Sequence, residues 1–490
     1  MRGKANYLKW LCVPLLLVAA RTAAAGRVIY VDASAAEGND GSSWINAFSD
    51  LQDAIIMAQA GDEIRVAQGI YTPTQDPLDR DATFDLKDGV SITGGYAGLA
   101  GMYPDFRHTK FYATILSGDI DHNDDIMDPN NKEGNSRHVV TCTGPGNAAV
   151  LDGVTITGGC TGGVRGHNFR DGVGGGLSCW GSSPQLTDCG FADNYEAVYV
   201  NSNSYPVFTS CIWEDNHAGG SGAAIFADRS SSLSLNHCVF RRNIAGSRGG
   251  AIYANSSSIL SLNHCVFQRN TADLRGGAIY ADGFEMQLIN CLFVANTAGE
   301  TGGAIACPDY NHANGNTILD ILNCTFYDNT FPTFYKPPTN SVKNPDGSRV
   351  YSSGSIITNC IFYNEPSYMA VAFEFGRSEP LIITSIYEKE HEPGQPREVP
   401  PMPYELFADP NGADGILGTE DDDFRLAPGS PAIDSGTNET EPPLPAMDLD
   451  GNPRILYDFV DLGAYEFTDL IKVHDARYII PDNVLERTGK

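Results

Sequence analysis

Short segments in which apolar and polar residues alternate recur through the middle of the chain. Leu322, Cys324 and Phe326 are one example, and they would share one face of a strand because side chains of a strand alternate between its two faces. Gly or Asn follows each such segment, and no unit has the spacing of an amphipathic helix. The pattern predicts many short strands joined by tight turns.

These segments belong to an internal repeat. Residues 230–254 match residues 257–281 at nearly every position, 27 residues further on. A skeleton of Cys, an aromatic residue and Asn continues in both directions, at Cys189, Cys211, Cys238, Cys265, Cys291, Cys324 and, shortened, Cys360. A second motif, Gly-Gly-Ala-Ile, begins at Gly249, Gly276 and Gly302. Two motifs that alternate with a fixed period indicate a solenoid.

A single unit of this kind cannot bury its apolar face, so neighbouring units must stack as parallel strands about 4.8 Å apart. The sequence therefore predicts an all-β fold, a parallel β-helix of roughly ten to twelve coils. Cys, Phe and Ile side chains would form inward columns. One Asn per unit lies at a turn, where Asn can form an amide column and tolerates the left-handed conformation: Asn194, Asn216, Asn243, Asn270, Asn296 and Asn329.

The rest of the chain divides at changes in composition. Residues 1–25 have a basic start, a short apolar run and an Ala-x-Ala cleavage site, which is typical of a secretory signal peptide. Residues 26–62 would form a strand and an amphipathic helix that caps the solenoid of residues 63–387. The Pro- and Asp-rich residues 388–467 would form a module that caps the last coil, and residues 468–490 a tail.

Charge and the signal peptide narrow the classes of function. The chain has 61 acidic and 32 basic residues, a net charge of −29, which argues against a nucleic-acid partner because phosphate contacts need an excess of Lys and Arg. The signal peptide predicts a secreted or cell-surface protein. No later segment is apolar enough to predict a transmembrane helix. We expect a monomer.

The Gly-Gly-Ala-Ile motif, paired with Phe-x-x-Asn as at Phe240 and Asn243, resembles the repeats of polymorphic outer-membrane proteins. Those proteins belong to the pectate-lyase-like superfamily, so the resemblance implies a right-handed parallel β-helix. The opening from Tyr30 to Trp44 and the segment from Leu151 to Gly158 resemble secreted bacterial β-helix repeat proteins. The Asp-rich motifs of residues 448–466 resemble C-terminal modules that precede a surface-anchoring signal in such proteins.

Cysteine use suggests packing rather than metal binding. Eleven cysteines remain once residues 1–25 are removed, about one per coil, and we expect them to fill the core as small apolar side chains. Disulfides between adjacent coils are the alternative, because the stacking distance lies within the Cα range of a bridge. The sequence has no Cys-x-x-Cys motif or Cys/His cluster that would predict zinc.

Calcium is the one cofactor that the acidic loops suggest. Carboxylate and amide side chains occupy alternate positions in a later loop, at Asp409, Asn411 and Asp414, and in an earlier loop, residues 119–125. Oxygen ligands spaced in this way suit a hard cation, although neither loop has EF-hand spacing. The alternative is a solvated turn, which Asp, Asn and Gly favour on their own.

A basic segment gives the candidate ligand-binding residues. If the repeats stack in register, three pairs of like residues lie one above another: Arg242 on Arg269, Arg248 on Arg275, and His237 on His264. Stacked like charges cost stability unless something compensates them. A bound acidic polysaccharide would do so, because Arg binds carboxylate or sulfate at two points. The alternative is that these are solvated turn residues left by a duplication.

Three functions remain open. We expect a non-catalytic extracellular or cell-surface protein that binds carbohydrate or another surface along its face. The second is a polysaccharide lyase acting on an acidic glycan, with Arg or His as the base. After residue 25 the Gly-His-Gly and Arg-x-Lys motifs of polygalacturonases are missing, and no repeat unit supplies an obvious carboxylate pair for hydrolysis. The third is a structural spacer.

Overall fold

Three long parallel β-sheets form the sides of the molecule, and successive strands along the chain pass from one sheet to the next. The computed structural model describes residues 26–124, 131–161, 174–228, 231–255, 259–282, 285–307, 318–330, 334–336, 342–343, 349–350, 356–363, 373–375, 381–383 and 406–468. Sheet 1 has 12 strands, and sheets 2 and 3 have ten each. The predicted right-handed parallel β-helix is confirmed.

The strands of each sheet are given in chain order, which is also their order in space. Sheet 1 comprises Val28–Val31, Glu63–Ala67, Ser91–Tyr96, Val150–Asp152, Gln185–Thr187, Val207–Thr209, Leu233–Asn236, Ile259–Asn263, Glu285–Ile289, Ile318–Leu322, Ile356–Thr358 and Leu381–Ile383. Sheet 2 comprises Gly69–Tyr71, Thr114–Ser117, Thr155–Thr157, Gly190–Ala192, Ile212–Glu214, Val239–Arg241, Val266–Gln268, Leu292–Val294, Thr325–Tyr327 and Ile361–Tyr363. Sheet 3 comprises Phe84–Asp85, Val140–Thr143, Leu177–Trp180, Val198–Asn201, Ile225–Ala227, Ile252–Asn255, Ile279–Asp282, Ile305–Ala306, Phe334–Lys336 and Phe373–Phe375.

Shorter elements complete the described chain. A small sheet 4 comprises His217–Ala218, Ile244–Ala245, Thr271–Ala272 and Thr297–Ala298. Two antiparallel pairs join Val342–Lys343 to Arg349–Val350, and Phe407–Asp409 to Asp423–Leu426. The helices are α1 (Leu51–Met57) and the 3₁₀ turns Trp44–Asn46, Gly98–Ala100 and Asn131–Gly134.

The core is built from inward columns, as the alternating pattern predicts. In sheet 2, Phe240 lies in register with Phe267, and the aromatic column continues through both neighbours. Successive rings are stacked with centroids 4.6 to 5.1 Å apart along Phe191, Trp213, Phe240, Phe267, Phe293, Phe326 and Phe362. Burying such side chains is the main stabilising contribution, because it removes apolar area from water.

Two tight turns repeat in the central coils, and each contains one residue in the left-handed conformation. This residue precedes the inward Cys in one turn, as at His237 (φ 54°), and precedes the column Asn in the other, as at Arg242 (φ 54°). The column Asn, which would tolerate this conformation, does not adopt it. The structure places it one residue earlier, and the Asn side chain then points inward.

The inward Asn side chains form a continuous hydrogen-bonded column. Asn243 Nδ2 donates to Asn270 Oδ1 at 2.9 Å and to the carbonyl oxygen of Trp213 at 3.0 Å. The corresponding amide-to-amide distances along the whole column lie between 2.8 and 3.2 Å. Its members are buried: Asn194, Asn216, Asn243, Asn270, Asn296 and Asn329. Each buried amide is therefore satisfied by the next coil.

The Gly-Gly pair is required by two different constraints. The first glycine has a positive φ, +61° at Gly249, which side chains other than glycine rarely adopt. The second lies against the next coil, because a Cβ on Gly250 would fall 2.1 Å from the carbonyl oxygen of Gly277. The motif therefore marks the place where neighbouring coils approach most closely.

All eleven cysteines from Cys142 to Cys360 are buried, and none of them forms a disulfide in the described chain. Seven of them lie once per coil, and their Sγ atoms contact backbone carbonyls, as Cys265 does with Leu235 at 3.4 Å. Burial raises the pKa of the Cys142 thiol to about 11. The cysteines therefore pack as small core side chains, and the alternative of adjacent-coil disulfides is not realised in this structure.

Helix α1 lies against the first coil. The Asp50 side chain accepts a hydrogen bond from the Gln52 backbone N–H at 2.8 Å and so caps the helix. Leu51, Ala54 and Ile55 are buried in the main core, against the first strands of sheets 1 and 3. The expected N-terminal capping helix is present. Among the described residues, no helix is long and apolar enough to span a membrane.

The C-terminal module lies along the side of the solenoid. Its described residues, 406–468, contact sheet 2 and the turns beside it. Phe424 packs on Tyr327 with ring centroids 5.2 Å apart, and the Asn323 side chain donates to the carbonyl oxygen of Asp461 at 3.3 Å. The sequence reasoning expected this module to cap the last coil. The described contacts run along the side instead, because the apolar residues of the module match outward apolar residues of sheet 2.

Buried charges hold the module together. Arg454 is 2% exposed, and its Nη1 lies 3.1 Å from Glu466 Oε1. Asp448 is fully buried and accepts hydrogen bonds from the backbone N–H groups of Asn452 and Glu466, at 2.7 and 2.9 Å. These Asp-rich motifs therefore have a structural role, because the carboxylates of Asp448 and Glu466 bind other groups of this chain.

Candidate functional site

Arg242 and Arg269 occupy the left-handed position of the turn after sheet 2. The Arg242 guanidinium bonds the Asp215 carboxylate of the previous coil at two points, with Nε to Oδ1 at 2.8 Å and Nη2 to Oδ2 at 2.7 Å. This hydrogen bonding to Asp215 raises the pKa of Arg242. Arg269 is exposed, and its side chain packs on Gly418 of the C-terminal module.

Arg248 and Arg275 are paired as expected, at an isolated bridge between adjacent coils. Their side chains have different partners. Arg275 Nε lies 3.0 Å from Glu300 Oε2 of the next coil, whereas the Arg248 guanidinium carbon lies 5.1 Å from the centroid of the Tyr280 ring. Arg248 therefore makes a cation–π contact with an aromatic side chain of sheet 3.

His237 and His264 are stacked, with ring centroids 4.6 Å apart. His237 is exposed, but His264 is 8% exposed because the C-terminal module covers it. His264 Nδ1 lies 2.9 Å from Asn263 Oδ1, and its Nε2 lies 3.2 Å from the carbonyl oxygen of Met447. Burial lowers the pKa of both rings, so the uncharged imidazoles stack without repulsion.

The six predicted ligand-binding residues thus lie in three separate places. Arg242 and Arg275 are neutralised by carboxylates of neighbouring coils, and His264 is part of the contact with the C-terminal module. The stacked charges therefore need no bound polyanion to compensate them. Of the six residues, Arg248 alone lies beside the surface feature that follows.

An aromatic column runs along the outside of sheet 3. Tyr199, Phe226, Tyr253 and Tyr280 lie in register in successive strands, and the ring of Trp180 contacts Tyr199, the first of them. Ring centroids along this column are 4.7 to 5.8 Å apart. Trp180, Phe226 and Tyr253 are half-buried, whereas Tyr199 and Tyr280 are buried.

The alternation of the strands explains why these rings point outward. In Ile252–Asn255, Ile252 and Ala254 are buried in the core, so Tyr253 and Asn255 face the other side. The sequence signal was present in Ile-Tyr-Ala, which repeats at Ile279–Ala281. The sequence reasoning missed this column because it followed the inward residues of the Gly-Gly-Ala-Ile motif and not the residue after them.

Polar groups flank the aromatic column. The next outward row of sheet 3 contains Asn201, Asn255 and Asp282, in register with Trp180 at its start. Burial raises the pKa of Tyr253, and the charge of Arg248 opposes this shift. The Tyr253 hydroxyl therefore stays protonated at neutral pH and remains a hydrogen-bond donor. Ring faces bordered by donors and acceptors are suited to contacts with polar, hydroxyl-bearing molecules.

The later of the two predicted calcium loops is held by its own hydrogen bonds. Asp414 Oδ1 accepts from the Ile416 backbone N–H at 2.7 Å, and Asp421 Oδ2 accepts from the Asp414 backbone N–H at 3.0 Å. Asp409 ends a strand, and Asn411 follows it in the turn. No cluster of three or more His, Cys, Asp or Glu suited to a metal ion occurs in the described ranges.

Comparisons with known proteins identify the architecture. Residues 152–331, less than half of the chain, match the family model described as right-handed β-helix region. No curated protein matches the sequence. The solved structures that are similar include the pectate lyase Pel9A, at 14% identity and a TM-score of 0.43, covering 91% of this chain and 97% of that one. Another is the pectin methylesterase PemA from Erwinia chrysanthemi, at 11% identity and a TM-score of 0.29, covering 71% and 92%. At these TM-scores neither likeness bears on function.

Proposed function

We propose that this protein is a non-catalytic extracellular or cell-surface β-helix protein that binds carbohydrate along sheet 3. The observation that carries this proposal is the outward aromatic column of Trp180, Tyr199, Phe226, Tyr253 and Tyr280. The face of an aromatic ring carries negative potential, which attracts the C–H groups on one side of a sugar ring. The half-buried rings of Trp180, Phe226 and Tyr253 offer such contacts along an extended chain, whereas the rings of Tyr199 and Tyr280 are buried within the column.

The absence of catalysis is proposed from the state of the candidate bases. A lyase base must be free to accept a proton from the substrate. Two of the four candidate bases are engaged: Arg242 is held by two hydrogen bonds to Asp215, and both ring nitrogens of His264 lie near polar atoms of this chain. The other two, His237 and Arg269, are exposed and are the positions that a lyase would have to use. The acidic-glycan lyase is therefore the weaker alternative, and a structural spacer would leave the aromatic column without a role.

Export and calcium binding remain predictions. The signal peptide, residues 1–25, lies outside the described residues, as do the segment 384–405 and the tail from residue 469. We propose that the mature protein begins near Gly26, that it is a monomer, and that any calcium binds the loop of Asp409, Asn411 and Asp414.

Binding to a panel of uncharged and acidic polysaccharides tests the proposal. We expect Tyr253→Ala to weaken binding about threefold to tenfold, because it removes one stacking contact. Tyr103→Ala is the matched control, since Tyr103 is 72% exposed and belongs to none of the strands of sheet 3. Failure to bind any polysaccharide would overturn the proposal. Unsaturated uronate products, detected by ultraviolet absorbance, would replace it with the lyase.

A further inference from the structure

Sheet 1 has a continuous uncharged face across five coils. Two of its outward rows are in register and carry no charge; they comprise Gln185, Val207, Ser234, Ser261 and Gln287 in one, and Thr187, Thr209, Asn236, Asn263 and Ile289 in the other. All ten are exposed or half-buried. We call this set the neutral face. Beside the first row, Ile259 and the charged Glu285 also face outward. Four steps of about 4.8 Å make it roughly 19 Å long.

Charged residues bound the neutral face at both ends. In the coil before it, the outward residue beside Thr187 is Asp152, and in the coil after it the residue beside Gln287 is Asp320. The chain as a whole carries 61 acidic and 32 basic residues, so the lack of charge in the neutral face is not shared by the rest of the chain. It is therefore a distinct patch on an otherwise strongly acidic protein.

Avoidance of like-charge repulsion does not account for this composition. Identical charges stacked in register would be unfavourable. However, sheet 2 accommodates charges by alternating their sign, as where Arg241 lies in register with Glu214 and bonds it at 2.7 Å. Charges of alternating sign could be accommodated in the same way in these rows of sheet 1, but the rows contain none.

The side chains of the neutral face have unused hydrogen-bonding capacity. Within the described part of the chain, two side-chain hydrogen bonds involve them: Asn236 Nδ2 donates to Ser234 Oγ at 3.3 Å, and Asn263 Oδ1 lies 2.9 Å from His264 Nδ1. Hydroxyl and amide groups both donate and accept, as sugar hydroxyls do. Val207 and Ile289 add apolar contacts within the rows.

We infer that the neutral face is a second carbohydrate-contact surface and that its ligand is an uncharged polysaccharide. The inference rests on the proposed function and narrows it. A polyuronate would gain no cation from this face and would be repelled by the net charge of −29 around it. An uncharged polysaccharide needs no cation from the protein and is not repelled by its negative charge. Its repeated hydroxyl groups can form hydrogen bonds with the repeated side-chain donors and acceptors of the neutral face.

A triple variant on the neutral face tests the inference. The substitutions are Gln185→Ala, Thr209→Ala and Gln287→Ala, one in each of three coils. None of these three side chains makes a side-chain hydrogen bond in the described chain, so folding should be unaffected. Ser91→Ala combined with Thr93→Ala is the control, because these residues face outward on sheet 1 beyond Asp152. Binding is measured by depletion on cellulose, mannan and polygalacturonate, at low and high salt.

The expected result is binding to cellulose or mannan that is insensitive to salt, weakened about tenfold or more in the triple variant and unchanged in the control. Salt-sensitive binding to polygalacturonate alone would overturn the inference but leave carbohydrate binding standing. Loss of binding in Tyr253→Ala but not in the triple variant would do the same. If the triple variant changes only the mass of the particle in light scattering, the face is a self-association surface and the inference is wrong.

Discussion

Arg242 and Asp215 form a two-point ion pair between adjacent coils, with nitrogen-to-oxygen distances of 2.8 and 2.7 Å. The pair shows how a stacked solenoid accommodates a basic segment. The residue above or below a charge in the register need not be identical, so a carboxylate from a less similar coil neutralises the arginine. The repulsion between Arg242 and Arg269, which alone would be unfavourable, is therefore reduced by a carboxylate of this chain.

This pair predicts a small effect on stability and none on ligand binding. Both side chains are nearly half exposed, at 45% and 49%, so the pair should contribute about 0.2–1 kcal/mol. Arg242→Ala, Asp215→Ala and the double variant are compared by chemical unfolding in a double-mutant cycle. Loss of polysaccharide binding in Arg242→Ala, with the fold intact, would return Arg242 to the ligand-binding set.

The amide column predicts a much larger cost. Asn270→Ala leaves the Asn243 amide and the carbonyl oxygen of Phe240 without their partner, and a buried unsatisfied group costs about 1–3 kcal/mol. Thermal unfolding should therefore begin at a clearly lower temperature. Asn255→Ala, on the outside of sheet 3, serves as the control and should change little. Equal effects of the two substitutions would mean that the column does not stabilise the stack.

Glu196 predicts a pH dependence of stability. Its side chain is 7% exposed, Oε2 is buried without a hydrogen-bond partner, and burial raises its pKa to about 8. A folded pKa above the unfolded value means that stability is fully present below about pH 4.5 and is lost as pH rises through about 8. Glu196→Gln should remove this loss, which is on the order of a few kcal/mol. Melting temperatures of the two proteins should differ least below about pH 4.5 and diverge progressively as pH rises towards about 8, and parallel curves would contradict the prediction.

The buried thiols predict slow chemical modification. The native mature protein should react negligibly with a thiol reagent, because all eleven cysteines are buried and burial raises the pKa of thiols such as Cys179 and Cys189. Denaturant should release eleven reactive thiols. Rapid reaction of the native protein would show that the columns open readily, and twelve thiols would show that Cys12 is retained.

The fold could be predicted because the repeat shows which positions are equivalent in successive coils, and equivalent positions stack into columns. Once Phe240 and Phe267 are recognised as equivalent positions, alternation within one strand determines which side chains line the core of every coil. The same reasoning could have found Tyr253 and Tyr280, since a residue between two inward residues must face outward. The aromatic column was therefore within reach of the sequence.

Contacts between distant segments were beyond that reasoning. Nothing in the spacing of Met447 or Gly418 indicates that they lie on His264 and Arg269, because the C-terminal module shares no period with the coils. For the same reason, sequence could not show that Glu420 contacts Arg241. Register within the solenoid follows from the repeat, whereas the position of a non-repeating segment depends on surfaces that exist only after folding.

Tryptophan fluorescence gives the most direct test of carbohydrate binding by the aromatic column. Trp180 is half-buried at the start of this column, whereas Trp44 and Trp213 are buried. Titration with a soluble polysaccharide should give a saturable change in emission, and that change should disappear in Trp180→Phe. A polysaccharide that binds the protein and leaves the emission of Trp180 unchanged would contradict carbohydrate binding by the aromatic column.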